Sequence, residues 1–235
     1  MRGDAIRTSV LSVQMIPNAD PALLEKLALP RKLRSLGILT TDCDDVSYAA
    51  LDEATKRANV RVAYASSMYA GSGNASTKLA GEFIGILAGE DPAEVRSGLE
   101  AAVRYAREEA CFYSANDDDS IVYFAHCISR TGSYLSEKAG AAEGGAMAYL
   151  IAPPAEAIVG LDAALKAADV RLGLFYGPPT ETNFAGGLLT GDQAACKAAC
   201  AAFAQAVCGV AETPVAYGKN RLFTVGKQII EREER

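Results

Sequence analysis

The sequence predicts an α/β fold, more narrowly α+β, in which a single ββαββα unit is written twice along the chain. Two observations carry that prediction: stretches of the two halves match in register, and strand-length apolar runs alternate with helical periodicity in the same order in each half. Leu51-Asp52-Glu53-Ala54-Thr55-Lys56-Arg57-Ala58-Asn59-Val60-Arg61 lies over Leu161-Asp162-Ala163-Ala164-Leu165-Lys166-Ala167-Ala168-Asp169-Val170-Arg171 with Leu, Asp, Ala, Lys, Ala, Val and Arg shared. From Leu51 to Leu161 the offset is 110, and it also carries the apolar run from Leu36 to Thr40 onto Ala146 to Leu150. An offset one residue larger carries Thr8 to Val13 onto Asp119 to Phe124. Farther on, Gly85-Ile86-Leu87-Ala88-Gly89-Glu90 matches Gly187-Leu188-Leu189-Thr190-Gly191-Asp192 at an offset of only 102, so the first copy is eight residues longer in one loop. The surplus falls in Tyr69-Ala70-Gly71-Ser72-Gly73-Asn74-Ala75-Ser76-Thr77-Lys78. A loop that differs between two otherwise equal copies is where function is expected.

In order, the first copy predicts strands over 9–16 and 36–41, a helix over 48–58, strands over 60–65 and 82–88, and a helix over 92–108. The second predicts strands over 121–129 and 146–152, a helix over 155–168, strands over 170–176 and 185–190, and a helix over 193–210. Short apolar, β-prone runs between Gly and Pro punctuation support the strands. The helices rest on 3.6-residue periodicity with start signals, Asp91-Pro92 and Asp192 standing where a cap and a first-turn proline belong. Moving the first strand of such a unit to its end gives βαββαβ, the ferredoxin-like arrangement with two helices over one face of an antiparallel sheet. Each copy is therefore a circular permutation of that plan. The polar run Asn116-Asp117-Asp118-Asp119 marks the connection between copies. The expected domains are 1–112 and 113–214, with a tail over 215–235.

Composition narrows the function classes. At 235 residues, 50% hydrophobic and 22% charged, the chain suits two compact domains rather than a disordered segment. A net charge of -6 without clustered Lys and Arg argues against a nucleic-acid surface. Met1-Arg2-Gly3-Asp4 lacks an apolar leader, and no run approaches the roughly 20 apolar residues of a membrane span, so a cytosolic chain is expected. There the six cysteines, Cys43, Cys111, Cys127, Cys196, Cys200 and Cys208, read as buried apolar groups or free thiols, and the sequon Asn74-Ala75-Ser76 has no role.

Catalytic chemistry finds no footing. His126 is the single histidine, so neither an imidazole metal triad nor a His-based relay can be assembled. Cys196 and Cys200, one turn apart in an Ala-rich helix, read as close packing. The Gly/Ser loop over 71–78 lacks a phosphate-loop ending, and Ser129-Arg130-Thr131-Gly132-Ser133-Tyr134 lacks the nucleophile elbow. No catalytic residue is assigned, and the chain is not read as an enzyme. One polar constellation remains: Asp42, Asp44 and Asp45 crowd a strand end whose counterparts in the second copy are Ala152, Pro154 and Ala155, and Glu82 adds a fourth acid. Such a cluster is either a solvated helix start or a trap for a small cation. Without imidazole or thiolate partners it suits an organic ammonium better than a transition metal, with a hard cation left open.

The strings Leu36-Gly37-Ile38-Leu39-Thr40-Thr41-Asp42-Cys43-Asp44-Asp45-Val46, Ser129-Arg130-Thr131-Gly132-Ser133-Tyr134-Leu135-Ser136, Ala148-Tyr149-Leu150-Ile151-Ala152-Pro153-Pro154 and Leu189-Thr190-Gly191-Asp192-Gln193 resemble the L-type shell-protein family of the ethanolamine-utilisation bacterial microcompartment. The resemblance covers roughly residues 5–212. It implies two permuted microcompartment-shell domains in tandem, a homotrimer imitating a hexagonal tile, other shell proteins as partners, and a cytoplasmic compartment shell as location. It implies a gated central pore, for which the loop residues Tyr69, Ala70, Gly71, Ser72, Gly73 and Asn74 are the candidates. It also implies ethanolamine binding at positions matching Asp44, Asp45, Glu82, Phe112, Thr182 and Phe184. There carboxylates would attract the ammonium, and Phe112 and Phe184 would add cation–π contacts of about 0.5 to 2 kcal/mol each. Cobalamin binding is a further implication, though no cofactor is required; zinc, also implied, is left unassigned because of the single histidine. The other readings are a tile of another amino-alcohol or diol compartment and a small-molecule-sensing regulatory domain.

Overall fold

The computed structural model describes residues 1–68, 79–178 and 180–216. The loop candidates Tyr69 to Asn74 and the tail from 217 onward lie outside these. Among the described residues, ten strands and six helices follow in the order β1 (Ala5–Ile6), β2 (Val10–Ile16), α1 (Pro21–Lys26), β3 (Ser35–Thr41), α2 (Asp44–Arg57), β4 (Arg61–Ser67), β5 (Phe83–Gly89) and α3 (Pro92–Arg104). A π-helical turn, Tyr105–Glu109, leads to β6 (Phe112–Ser114), β7 (Val122–Ile128), α4 (Ser133–Ala139), β8 (Ala146–Ala152), α5 (Pro154–Ala167), β9 (Val170–Tyr176), β10 (Ala185–Gly191) and α6 (Gln193–Glu212).

All eight expected strands and four expected helices are present. Both repeats have the same sheet order, β2-β3-β5-β4 and β7-β8-β10-β9, with every pair antiparallel. That is the ferredoxin-like order of a permuted unit. The sequence did not reveal the short pieces β1, β6, α1 and α4, because two to seven residues carry too little periodicity to register. β1 pairs with β6 and β6 with β7, extending the second sheet to six strands. Both ends of the first repeat are thereby sewn onto the second.

Two boundaries and one register differ from expectation. α2 begins at Asp44, not at 48: its N-cap, Cys43, is extended at φ -148 and ψ 122 and makes no side-chain cap bond, so the usual cap signal is missing. Thr41 and Ser47 anchor that turn instead, both hydroxyls donating to the Cys43 carbonyl at 2.9 and 2.7 Å. The helix expected to run straight to 108 ends at Arg104 and passes into the π turn. The offset of 110 assigned to β3 is one residue short. Gly85 pairs with Leu39, and its counterpart Gly187 pairs with Leu150, so Leu39 corresponds to Leu150. A one-residue slip exchanges the faces of a strand, which matters here.

Every residue of β8 is buried. Ala148 and Leu150 cluster with Leu161 of α5 and Phe203 of α6, as Leu39 does with Leu51 and Leu99 of α2 and α3. On the opposite face, Met147, Tyr149 and Ile151 join the cluster of the first repeat that holds Val46, Phe83 and Phe112. The apolar run thus lacks alternation because both its faces are covered. α6 also departs from expectation: it is long and apolar enough, by length and composition, to cross a membrane. Its Cys196, Cys200, Phe203 and Val207 are buried in the second core, and short Ala and Cys side chains give the close approach to the sheet that this packing uses.

α2 also docks on α4. Asp52, fully buried, accepts from Gly132 N at 2.7 Å and Leu135 N at 2.9 Å, while Thr55 Oγ1 accepts from Ser133 N at 3.1 Å. A carboxylate of one repeat caps a helix of the other. Gly132 is required there, since a Cβ at that position would collide with Thr55 Oγ1 and Asp52 O.

Candidate ligand site between the repeats

The six residues singled out come from four places in the chain and line one cavity of about 490 Å³. Asp44 and Asp45 form the first turn of α2. Glu82 stands before β5, fixed through its backbone: its N–H donates to Thr41 O at 2.8 Å and its carbonyl accepts from Met68 N at 2.7 Å. Phe112 opens β6, which lies between β1 and β7, and this explains how a residue of the first repeat joins the second sheet. Thr182 and Phe184 flank Asn183, whose φ of 63 makes the turn into β10, and Thr180 Oγ1 donates to Phe184 O at 2.9 Å.

The acids differ in what they have left to offer. Asp42, exposed at the strand end, accepts from Ser9 N at 2.7 Å. Asp44 and Asp45 are not strand-end residues, and they are not solvated: they are 8% and 7% exposed. Asp44 Oδ1 accepts from Asp45 N at 2.9 Å, and Asp45 Oδ1 accepts from Tyr149 Oη at 2.7 Å. Burial, then the neighbouring Asp44 carboxylate, push the Asp45 carboxyl well above the usual range, against the Tyr149 hydrogen bond. Glu82 is raised for the same reasons, burial first and Asp44 and Asp42 after it. With Asp119 the cavity holds five carboxyl groups against one guanidinium, that of Arg7, which donates to Glu108 O at 3.0 Å.

Among the described residues, each fully buried side-chain N or O has a hydrogen-bond partner. The carboxyl groups of Asp44 and Asp45 also lie against each other, two acids side by side on the wall of the cavity. Such a pair costs stability when ionised and regains it when a cation arrives. The aromatic walls are preformed: Phe112 and Phe184 meet edge to face at 6.0 Å, and Phe112 stacks on Phe124 at 5.3 Å. Carboxylates for N–H donors and ring faces for positive charge together suit a small organic ammonium ion.

Tyr149 is the participant that sequence reasoning missed. It is the one hydroxyl-bearing residue in an otherwise apolar strand, and a buried tyrosine requires a partner, which was the available signal. With Tyr48, Tyr134 and Tyr176 it lines a second cavity of about 300 Å³ that adjoins the first along Asp44, Asp45, Thr182 and Phe184. His126 lies elsewhere: its Nε2 bonds Tyr105 Oη at 2.6 Å, its ring stacks on Phe124, and burial lowers its pKa to about 4, so it is neutral near pH 7. The six cysteines are free thiols. Among the described residues, no group of three or more His, Cys, Asp or Glu side chains is placed to hold a metal ion.

Comparison with known proteins agrees with this architecture. A family profile described as the BMC domain matches residues 35–116. The bacterial microcompartment shell protein EutL of Clostridium perfringens (strain 13 / Type A) is 63% identical over 217 residues, covering 92% of this chain and all of the relative. EutL of Salmonella typhimurium (strain LT2) is 50% identical over 212 residues, 90% of this chain and 97% of the relative. The crystal structure of ethanolamine utilization protein EutL from Leptotrichia buccalis superposes with a TM-score of 0.90 at 65% identity, covering 92% of this chain and 100% of that one. Tandem permuted domains and these relatives define a structural shell protein of a bacterial microcompartment, not an enzyme. Within that class the chain belongs to the EutL family, which places it in a compartment shell within the cytoplasm.

Proposed function

We propose that this shell protein forms a trimeric, pseudohexameric tile with a gated central pore, and that the cavity between its repeats binds ethanolamine. The observation that carries the ligand reading is the convergence of Asp44, Asp45 and Glu82 with Phe112, Thr182 and Phe184 on one cavity built from both repeats. The ammonium is read as meeting the acid pair, with the two phenyl rings at its flanks and Thr182 within reach of the hydroxyl. Calorimetric titration of the full chain with ethanolamine tests it directly. Ethylene glycol, matched in size but uncharged, should compete poorly, and equal affinity for both would remove the acid pair from the reading.

The trimer reading rests on the repeat itself. Within the chain, Tyr48, Asp52 and Thr55 of α2 meet α4 of the following repeat. At the offset of 110 their counterparts on α5 are Ile158, Asp162 and Leu165, and Ile158 and Leu165 are 44% and 38% exposed. α1 stands where α4 stands and carries the exposed Leu23. On β3, Ile38 and Thr40 are half-buried where their counterparts Tyr149 and Ile151 are covered. Repeating the internal contact from chain to chain covers these surfaces in a head-to-tail ring, and three chains supply the six domains of a closed tile. The loop over 69–78, present in one repeat only, is read as the gate because it is the surplus that distinguishes two otherwise equal copies.

A further inference from the structure

The smaller cavity beside the acid pair has the make-up of a cation box, and the ethanolamine reading makes no use of it. Tyr48 and Tyr134 stack with ring centroids 6.3 Å apart and planes 20° apart, and Tyr149 and Tyr176 stack at 6.2 Å and 27°. These rings come from α2, α4, β8 and β9, so the box exists only because the repeats are docked. One cation already lies against it: Lys138 Nζ sits 5.7 Å from the centroid of Tyr134. The chain itself thus presents an ammonium to a ring face of this cavity.

We propose that the tyrosine-lined cavity is a second subsite for an organic ammonium ion, one that favours an N-methylated head, with Lys138 as its tethered competitor. The two cavities differ in what they offer. The larger holds Asp42, Glu82 and Asp119 beyond the shared acid pair, and carboxylates reward the three N–H donors of a primary ammonium. The smaller adds ring faces, which attract a cation without needing its N–H groups, so a methylated head loses no hydrogen bond by sitting there. Because Asp44 and Asp45 line both cavities, occupancy of one subsite lowers the charge available to the other, and the two ligands compete. The proposal rests on the reading that the acid pair attracts an ammonium group, and its test separates the two.

Tetramethylammonium and ethanolamine are titrated separately into the full chain by calorimetry. Tyr176→Leu should weaken tetramethylammonium binding about 2- to 30-fold, the range of one cation–π contact. Lys138→Gln, at an exposed position where folding is not at stake, should tighten it by removing the competitor. Tetramethylammonium that does not bind the parent chain, or that binds it no more tightly after Lys138→Gln, overturns the subsite even where Tyr176→Leu fails to fold. Ethanolamine binding indifferent to Glu82→Gln defeats the reading of the larger cavity and leaves the tyrosine subsite standing on its own result.

Discussion

Asp45 holds two opposed requirements in one carboxyl group. Without a ligand, burial raises its folded-state pKa above the unfolded value, so its stabilising contribution is full below the unfolded pKa and is lost as pH rises through the folded pKa. Asp45→Asn keeps an acceptor for Tyr149 but cannot ionise. The ligand-free variant should therefore melt higher than the parent at neutral pH, with the difference vanishing in acid, as followed by thermal denaturation across pH. The same change should weaken ethanolamine by about 1.5 to 3 kcal/mol, the range for a hydrogen bond to a charged group. Phe184→Ala should cost less, about 0.5 to 2 kcal/mol if cation–π contact is its contribution. Binding should also release a proton as Asp45 ionises, read as a dependence of the calorimetric heat on the buffer's ionisation enthalpy. Affinity unchanged in Asp45→Asn would return the acid pair to a purely structural role.

At the scale of elements, the junction of α2 with α4 decides whether the repeats stay in register. Asp52 satisfies two backbone N–H groups at the start of α4, and Lys56 approaches it at 3.8 Å. Asp52→Ala leaves those buried donors unpaired, at an expected loss on the order of 1 to 3 kcal/mol in urea denaturation. Its repeat-related partner behaves differently. Asp162 pairs with Lys166 at 2.6 Å on an exposed stretch of α5, so Asp162→Ala should leave the stability of the isolated chain nearly unchanged. Ile158→Asp, on the same face, should leave the fold intact by circular dichroism yet prevent chain association, because it places a charge on the face proposed to meet the next subunit. Association that survives Ile158→Asp would move the interface elsewhere.

For the whole molecule, two joined repeats leave one pair of surfaces covered within the chain and the equivalent pair open. The proposed ring of three chains would cover both, and native mass spectrometry should find a trimer at micromolar concentration. A monomer persisting there would defeat the pseudohexameric tile. Ligand and assembly should be separable, since the cavity between repeats is formed within one chain: Asp45→Asn is expected to keep the trimer.

The duplication, the strand and helix order of each copy and the acidic run at 42–45 were legible in the amino acids, because repetition and periodicity are local properties of a chain. The family resemblance also pointed to six of the residues that line the cavity. Local pattern failed where a short piece owes its existence to a partner: β1 and β6 form strands because each supplies the other's missing edge, and α4 is capped by Asp52 from eighty positions away. It failed again at Asp44 and Asp45. As letters they were equally a solvated helix start, and only docking of the second repeat over α2 removes their water and sets Tyr149 against them. The single residue of register that separates offset 110 from 111 in β3 decides which face of the related strand meets the other repeat. The order of the amino acids by itself determined that this chain would be two copies of one fold; tertiary packing decided that the seam between them is a charged, aromatic cavity, because desolvation and ring geometry exist only once distant segments touch.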